Sequence, residues 1–338
     1  MLDNKVVLVT GGTGSFGKAF IATVLKKHKP KKLIIYSRDE LKQFEMHRHF
    51  DEKTYPAIRY FIGDVRDRER LYRAFDGVDV VIHAAALKQV TTAEYNPMEA
   101  IKTNVLGASN VIDAAIDRNV KTVVALSTDK AVNPVNLYGA TKLCSDKLFV
   151  AANNYAGAHG TRFSVVRYGN VVGSRGSVIP FFLDAKKTGV IPITDKRMTR
   201  FWITLPQAID FVLRSLTMME GGEIFVPKIP SMNIMDLAKA VAPDCKTKIV
   251  GIRPGEKLHE VMVTEDDARD TLDYPDRYVI LPAAHGWAEN IRKKTTSVKR
   301  CPDSFRYSSD GNKDWLTVDQ LRTMLQGLTL EDAPAHAG

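Results

Sequence analysis

The chain has 338 residues, a formal net charge of +9, and is 44% hydrophobic and 26% charged. That is long enough for one large or two small domains with a full core, and the balance is that of a soluble globular protein. No apolar run approaches the roughly 18 residues of a membrane span, and the first residues read as a strand rather than a signal peptide. Cys144, Cys245 and Cys301 offer neither a disulfide framework nor metal-ligand spacing, so a reduced, cytoplasmic setting without metal is expected.

The basic surplus suits a polyanionic small molecule or a nucleic acid. Its densest cluster, Lys26-Lys27-His28-Lys29-Pro30-Lys31-Lys32, falls at an expected helix end, where cations complement the dipole. No aromatic residue interleaves it to stack on bases. It reads as a solvated helix terminus.

Val6 to Val9 is a short apolar run, as in a strand buried on both faces. Thr10-Gly11-Gly12-Thr13-Gly14-Ser15-Phe16-Gly17 follows, then a helical pattern with Phe16, Ala19, Phe20 and Leu25 inward. Gly11, Gly14 and Gly17 let backbone approach a pyrophosphate, with Thr13, Ser15 and Phe16 between them at a helix N-terminus. The next strand, Leu33 to Tyr36, ends in Ser37-Arg38-Asp39. An NAD-selective site would carry a carboxylate about here. Ser37 stands there instead, followed by Arg38 and, one turn on, Lys42; a guanidinium suits a 2′-phosphate, which points to NADP. Asp39 is expected to cap a helix running to His49 and to border the same site.

Ile58 to Ile62 reads as a strand ending at Gly63-Asp64-Val65, beside an adenine. Val78 to His83 is another, running into Ala84-Ala85-Ala86, where small side chains let a ring or ribose pack on backbone. Lys88 then meets a phosphate or sugar, or is a solvated loop lysine. A helix from Met98 carries Thr103 and Asn104. Such alternation predicts an α/β fold: a Rossmann-like, doubly wound parallel sheet.

Thr122 to Leu126 is a buried strand leading to Ser127-Thr128-Asp129-Lys130. The following helix has Cys144, Leu148, Ala151 or Ala152, and Tyr155 on one apolar stripe. Tyr138 and Lys142 share one helical face, and an ammonium beside a phenol favours the phenolate. A surface tyrosine and a solvated lysine have the same spacing. Thr128, Asp129 and Lys130 sharpen the reading, because they stand at a strand's carboxyl end, where open α/β sheets bind ligands.

Together, Thr10 to Gly17, His83-Ala84-Ala85-Ala86 and Tyr138-x-x-x-Lys142 resemble the extended short-chain dehydrogenase/reductases acting on nucleotide sugars. Ser127 to Lys130, Tyr138-Gly139-Ala140-Thr141-Lys142 and Arg253-Pro254-Gly255-Glu256-Lys257 resemble one branch, the soluble C5-inverting UDP-N-acetylglucosamine 4,6-dehydratases of pseudaminic acid biosynthesis and flagellin glycosylation. Retaining relatives have Asp-Glu in place of Asp129-Lys130, and membrane-anchored ones a methionine in place of Tyr138. The likeness runs from the glycine turn to about Tyr278 and fades beyond Asn290.

In the C-terminal half, Arg162 to Tyr168 reads as a strand. The resemblance puts Asn170 on substrate and Val171 near the nicotinamide. Arg175, Val178 and Ile179 fall in an excursion suited to lining a uridine site. Arg200 and Arg253 arrive from separate loops, as a diphosphate wants, although each alone could be a surface ion pair. The resemblance gives Arg253 and Glu256 to the nucleotide. The expected division is an NADP-binding domain over 1–172, with 200–226 returning to it, and a substrate-binding domain over 173–199 and 227–338. That second domain would include a last helix, Thr317 to Gly327, and a frayed tail from Ala333.

The chemistry implied by the resemblance is a redox-neutral dehydration. Tyr138, with Thr128 on the same hydroxyl, deprotonates O4 as hydride leaves C4. Lys130 removes the C5 proton, provided desolvation and positive charge keep its amine neutral. Protonated Asp129 supplies the leaving C6 hydroxyl, and Lys142 orients the ribose and lowers the Tyr138 pKa. A homo-oligomer, dimeric or up to hexameric, is expected. A 4-epimerase or reductase of the same fold would need Tyr138 and Lys142 but no pair at Asp129 and Lys130. A non-catalytic NADP-binding regulator or nucleic-acid binder would need only the glycines and the charge.

Overall fold

The computed structural model describes residues 1–173, 177–282 and 288–326. Among these, nine strands build one sheet: β1 (Val6–Thr10), β2 (Lys32–Ser37), β3 (Ile58–Ile62), β4 (Val80–His83), β5 (Thr122–Thr128), β6 (Arg162–Tyr168), β7 (Ile224–Pro227), β8 (Thr271–Asp273) and β9 (Arg277–Ile280). Their order is β8-β9-β7-β6-β5-β4-β1-β2-β3. From β3 across to β7 every pairing is parallel. The last two pairings are antiparallel. Helices cover both faces, which is why β1 is buried along its whole length and reads as an unbroken apolar run. The strand order reverses between β1 and β4, so their carboxyl ends diverge into a crevice.

A second apolar cluster holds Ile179, Phe182, Ile191, Trp202, Met232 and Leu237. It lies around a small sheet of Asn170–Val171, Thr199–Ile203 and Ser231–Asn233. Helices Val178–Lys186, Ile234–Val241 and Val318–Gln326 contribute to it. Residues 271–280, which the sequence grouped with the substrate-binding part, extend the main sheet instead, because β9 hydrogen-bonds along β7. Arg175 and the tail from Ala333 lie outside the described residues.

The helix Leu137–Ala152 buries a different face from the one its apolar residues suggest. Tyr138, Thr141, Lys142, Ser145, Asp146, Phe149 and Ala152 are buried. Cys144 is exposed and Tyr155 is 55% exposed. Asp146 on this face is partnered: Ser127 donates to Asp146 Oδ2 at 2.7 Å, and Arg167 reaches the same oxygen at 3.4 Å and the Met262 carbonyl at 2.9 Å. Hydrophobic periodicity does not register a face buried by paired polar groups.

The start of this helix is seated directly on the turn that follows β5. Asn136 caps it, accepting from the Gly139 N–H at 2.8 Å. A Cβ on Gly139 would lie 2.2 Å from the Lys130 carbonyl oxygen. Alanine would favour the helix by up to about 1 kcal/mol, but the clash is with backbone that is itself packed. Gly139→Ala should therefore lower the unfolding free energy by about 1–3 kcal/mol, as overpacking does, read by urea unfolding. A variant as stable as the parent would mean the turn gives way freely.

Candidate active site

A cavity of about 610 Å³ opens at the crevice between the carboxyl ends of the parallel strands. At its floor is the glycine turn. Gly11 has a φ of +66°, and a Cβ there would sit 2.9 Å from the Ala85 backbone. The helix Ser15–Lys27 has no side chain capping its N-terminus, which leaves its first N–H groups facing the cavity. Thr13, Gly14, Ser15, Phe16 and Gly17 line this end. Thr10 Oγ1 accepts from the Ala84 and Ala85 N–H groups and contacts His83 Nδ1 at 2.9 Å. Burial holds that imidazole neutral, with its pKa pushed down to about 3. A buried histidine and threonine thus fix the loop against which Gly11 packs.

Ser37, Arg38, Asp39, Lys42, Asp64 and Val65 line the next part. Ser37 Oγ meets Thr13 Oγ1 at 2.8 Å. Asp39 caps the following helix, observed over Glu40–His47, and pairs with Lys42. Arg38 is half exposed and faces Asp64 at 3.6 Å. Asp64 is also held by Arg66 at 2.7 Å, so the Arg38 guanidinium keeps capacity for another anion. Ala84, Ala85, Lys88, Thr103 and Val171 line the cavity too. Asn104 does not: its side chain brackets Leu87, accepting from the N–H at 2.8 Å and donating to the carbonyl at 2.9 Å. It shapes the loop from behind. The π-helical turn Lys102–Leu106 sets the two apart, leaving Thr103 on the cavity and Asn104 in the wall.

The reactive end gathers Thr128, Lys130, Tyr138, Lys142, Tyr168 and Asn170. β5 delivers Thr128, and a 3-10 turn, Asp129–Ala131, delivers the next two residues. Asp129 Oδ1 accepts from Thr128 Oγ1 at 2.9 Å and from Lys130 Nζ at 3.0 Å, while Oδ2 is buried without a partner. Asp129 is fully buried and does not itself line the cavity. It meets it through Thr128 and Lys130. Burial pushes the Tyr138 phenol up to about 12, against the opposing pull of Lys130 and a hydrogen bond with Thr128. Lys130 is therefore the chief cation favouring the phenolate, in place of the expected Lys142. Lys142 is buried, which lowers its pKa, while Asp146 one turn on works to keep it charged.

The expectation of a neutral Lys130 is overturned in the resting site. Burial does disfavour its charge, but Asp129 and Glu260 outweigh that and hold the ammonium. Glu260 was missed by the sequence reading. It lies far away in sequence, is 2% exposed, and stands 3.7 Å from Lys130 Nζ. Nothing in its local pattern distinguishes it from a solvated glutamate.

The expected substrate residues separate into two groups. Asn170 is on the cavity, with its Oδ1 buried and unpartnered, as is Thr103 Oγ1. Ile179 is fully buried in the second core and Val178 packs on that core, so neither lines the cavity. Arg200 donates to the carbonyls of Thr199, Lys257 and Leu258, at 2.7–3.0 Å, which makes it a brace. Arg253 is 56% exposed, pairs with Glu256 at 3.8 Å and lies over the Phe181 ring. This pair stands outside the cavity lining, on a segment tied back to it: Asn136 Nδ2 donates to the Gly255 carbonyl at 2.7 Å, and Lys257 Nζ to Val132 at 2.6 Å.

A doubly wound sheet whose glycine turn and Tyr138/Lys142 helix flank one crevice defines a protein of the short-chain dehydrogenase/reductase type. The family described as polysaccharide biosynthesis protein matches residues 7–282. A Campylobacter jejuni protein named UDP-N-acetylglucosamine 4,6-dehydratase (inverting) is 57% identical over 95% of this chain and 97% of its own. A Rickettsia conorii protein named UDP-glucose 4-epimerase is 44% identical over 83% and 84%. The X-ray structure of Pen from Bacillus thuringiensis superposes with a TM-score of 0.87, at 37% identity over 97% and 99% of the two chains. The chain belongs to this polysaccharide biosynthesis family of short-chain dehydrogenase/reductase-like proteins. Among its described residues no helix is long and apolar enough to cross a membrane.

Proposed function

We propose that the chain is a UDP-N-acetylglucosamine 4,6-dehydratase that inverts C5, with NADP as its nicotinamide cofactor. The product would be UDP-2-acetamido-2,6-dideoxy-beta-L-arabino-hex-4-ulose, made for pseudaminic acid and flagellin glycosylation by a cytoplasmic homo-oligomer. The unit built on the second core would hold the sugar nucleotide. The observation that carries the reading is the Lys130–Asp129 pair, at 3.0 Å, whose Lys130 lines the same cavity as Tyr138 and the glycine turn. An epimerase needs no such pair, and the 57% identical relative bears the dehydratase name.

The cavity suits a dinucleotide by its own features: the backbone cradle at Gly11, the uncapped helix end, and the unpartnered Thr103 and Asn170 oxygens. A nicotinamide held there would supply the acceptor for the C4 hydride and the donor for C6. Tyr138 rests as the phenol and would accept the O4 proton in its minor phenolate form, which Lys130 and the Thr128 hydrogen bond favour against burial. The resulting ketone acidifies C5. In the resting pair one proton sits on Lys130; its passage to Asp129 leaves a neutral amine and a protonated acid, the two forms that elimination requires. Lys130 then takes the C5 proton and Asp129 releases its own to the departing C6 hydroxyl, through Thr128 or Lys130, by which it meets the cavity. Reprotonation of C5 from the opposite face inverts it.

The cofactor choice rests on Ser37 and Arg38. Arg38→Ala should weaken NADP binding by about 1.5–3 kcal/mol, the range for a charge-assisted hydrogen bond, and NAD binding far less, measured by calorimetry. Equal losses for both dinucleotides would sink the assignment.

Proton exchange at C5 in heavy water tests the roles of the pair. Lys130→Ala should lose product by about 10²–10⁴-fold, lose exchange, and accumulate reduced nicotinamide. Asp129→Asn should lose product comparably while C5 exchange is slowed but kept, because the Lys130 amine must then give its proton to solvent instead of to Asp129. The reverse pattern would exchange the two roles, and full exchange in both would remove the pair from the proton transfer.

A further inference from the structure

We infer that Glu260 is a positioning residue for the proposed dehydration: its carboxylate, fixed opposite Asp129, keeps the shared proton on the Lys130–Asp129 pair. The inference rests on the reading of Lys130 and Asp129 given above and adds a third group to it.

The geometry is that of one buried carboxylate among three cations. Glu260 Oε1 stands 3.7 Å from Lys130 Nζ and 3.9 Å from Arg200 Nε, and Oε2 stands 3.5 Å from Lys257 Nζ. Oε2 has no hydrogen-bond partner. Three cations within 4 Å of this buried carboxylate offset the hydration it has lost. Its backbone is clamped from both sides, the N–H donating to Ser309 Oγ at 2.9 Å and the carbonyl accepting from the Ser309 N–H at 2.8 Å. Arg200 is bound to three carbonyls and Lys257 to one. Among the described residues Lys130 has no such carbonyl bond, and its ammonium donates to Asp129 alone. Glu260 therefore acts most freely on Lys130.

Five groups face the pair from every side. Tyr138 belongs to the helix, Arg200 to the strand Thr199–Ile203, Lys88 to the loop after β4, and Lys257 and Glu260 to one strap. Three of them are cationic, and without Glu260 they would favour loss of the pair's one proton to solvent. With Glu260 in place, the amine stays a strong base. It gains the C5 proton as a C–H bond breaks and an N–H bond forms, and the new ammonium finds a carboxylate already waiting while Asp129 gives its own proton away. The same strap carries Arg253 and Glu256, so a nucleotide seated there would hold Glu260 in register.

The test is the pH dependence of dehydration. On the alkaline side, turnover falls when the pair loses its one proton. Glu260 favours that proton, so Glu260→Gln should move the fall to lower pH by about one unit or more, as expected for loss of a charge under 4 Å away. Glu260→Asp, which keeps the charge but draws it back, should move it less in the same direction. Folding of each variant is checked by circular dichroism. If Glu260→Gln does not fold, the smaller shift in Glu260→Asp carries the test. An alkaline limb at the wild-type position in the folded variants would overturn the inference and leave the dehydratase reading intact. A wild type that forms no dehydrated product from UDP-N-acetylglucosamine would take down the reading itself, and the inference with it.

Discussion

The proposed chemistry depends on one buried contact, between the Asp129 carboxylate and the Lys130 ammonium. A base strong enough to take a proton from carbon and an acid ready to supply a leaving hydroxyl cannot be independent side chains at neutral pH, since a free lysine is charged and a free aspartate is not protonated. Asp129 and Lys130 stand in consecutive positions, 3.0 Å apart at their polar atoms, close enough on the proposed reading to exchange a proton directly. Much of the surrounding architecture bears on that pair. β5 brings it to the crevice, Gly139 lets the next helix press against its carbonyl, and the strap at residues 253–260 reaches over from the second core.

Buried polar groups support the site more than its apolar core does. His83 and Thr10 hold the loop under the glycine turn; Asn104 brackets Leu87; Asp146 joins Ser127, Arg167 and Lys142. In the low-dielectric interior each satisfied group fixes a geometry, and each would be costly if left alone. This explains why Tyr138 and Lys142 ride on a helix face that looks unpromising by hydrophobicity.

Much of this was legible in the sequence, for identifiable reasons. Parallel strands buried on both faces leave continuous apolar runs, so β1 to β6 could be read to within two residues at their ends. The glycine turn and Thr128-Asp129-Lys130 are local patterns whose context the chain order supplies. What escaped is non-local. Glu260 comes to Lys130 across 130 positions by way of the fold, Arg200 is consumed by carbonyls of a distant loop, and Asn104 differs from its neighbour Thr103 only by the turn of a π-helix. Lys130 is held charged chiefly by Asp129, its visible neighbour in sequence, and further by Glu260, which could not be seen there.

The central claim is that the pair eliminates water from a ketone formed next to C5. Incubation of the wild type with UDP-N-acetylglucosamine in heavy water, with mass spectrometry and proton NMR of the product, tests it most directly. The account predicts a sugar lighter by one water, with deuterium at C5 and inverted configuration there. A product of unchanged mass, epimerised at C4 with hydrogen retained at C5, would contradict it.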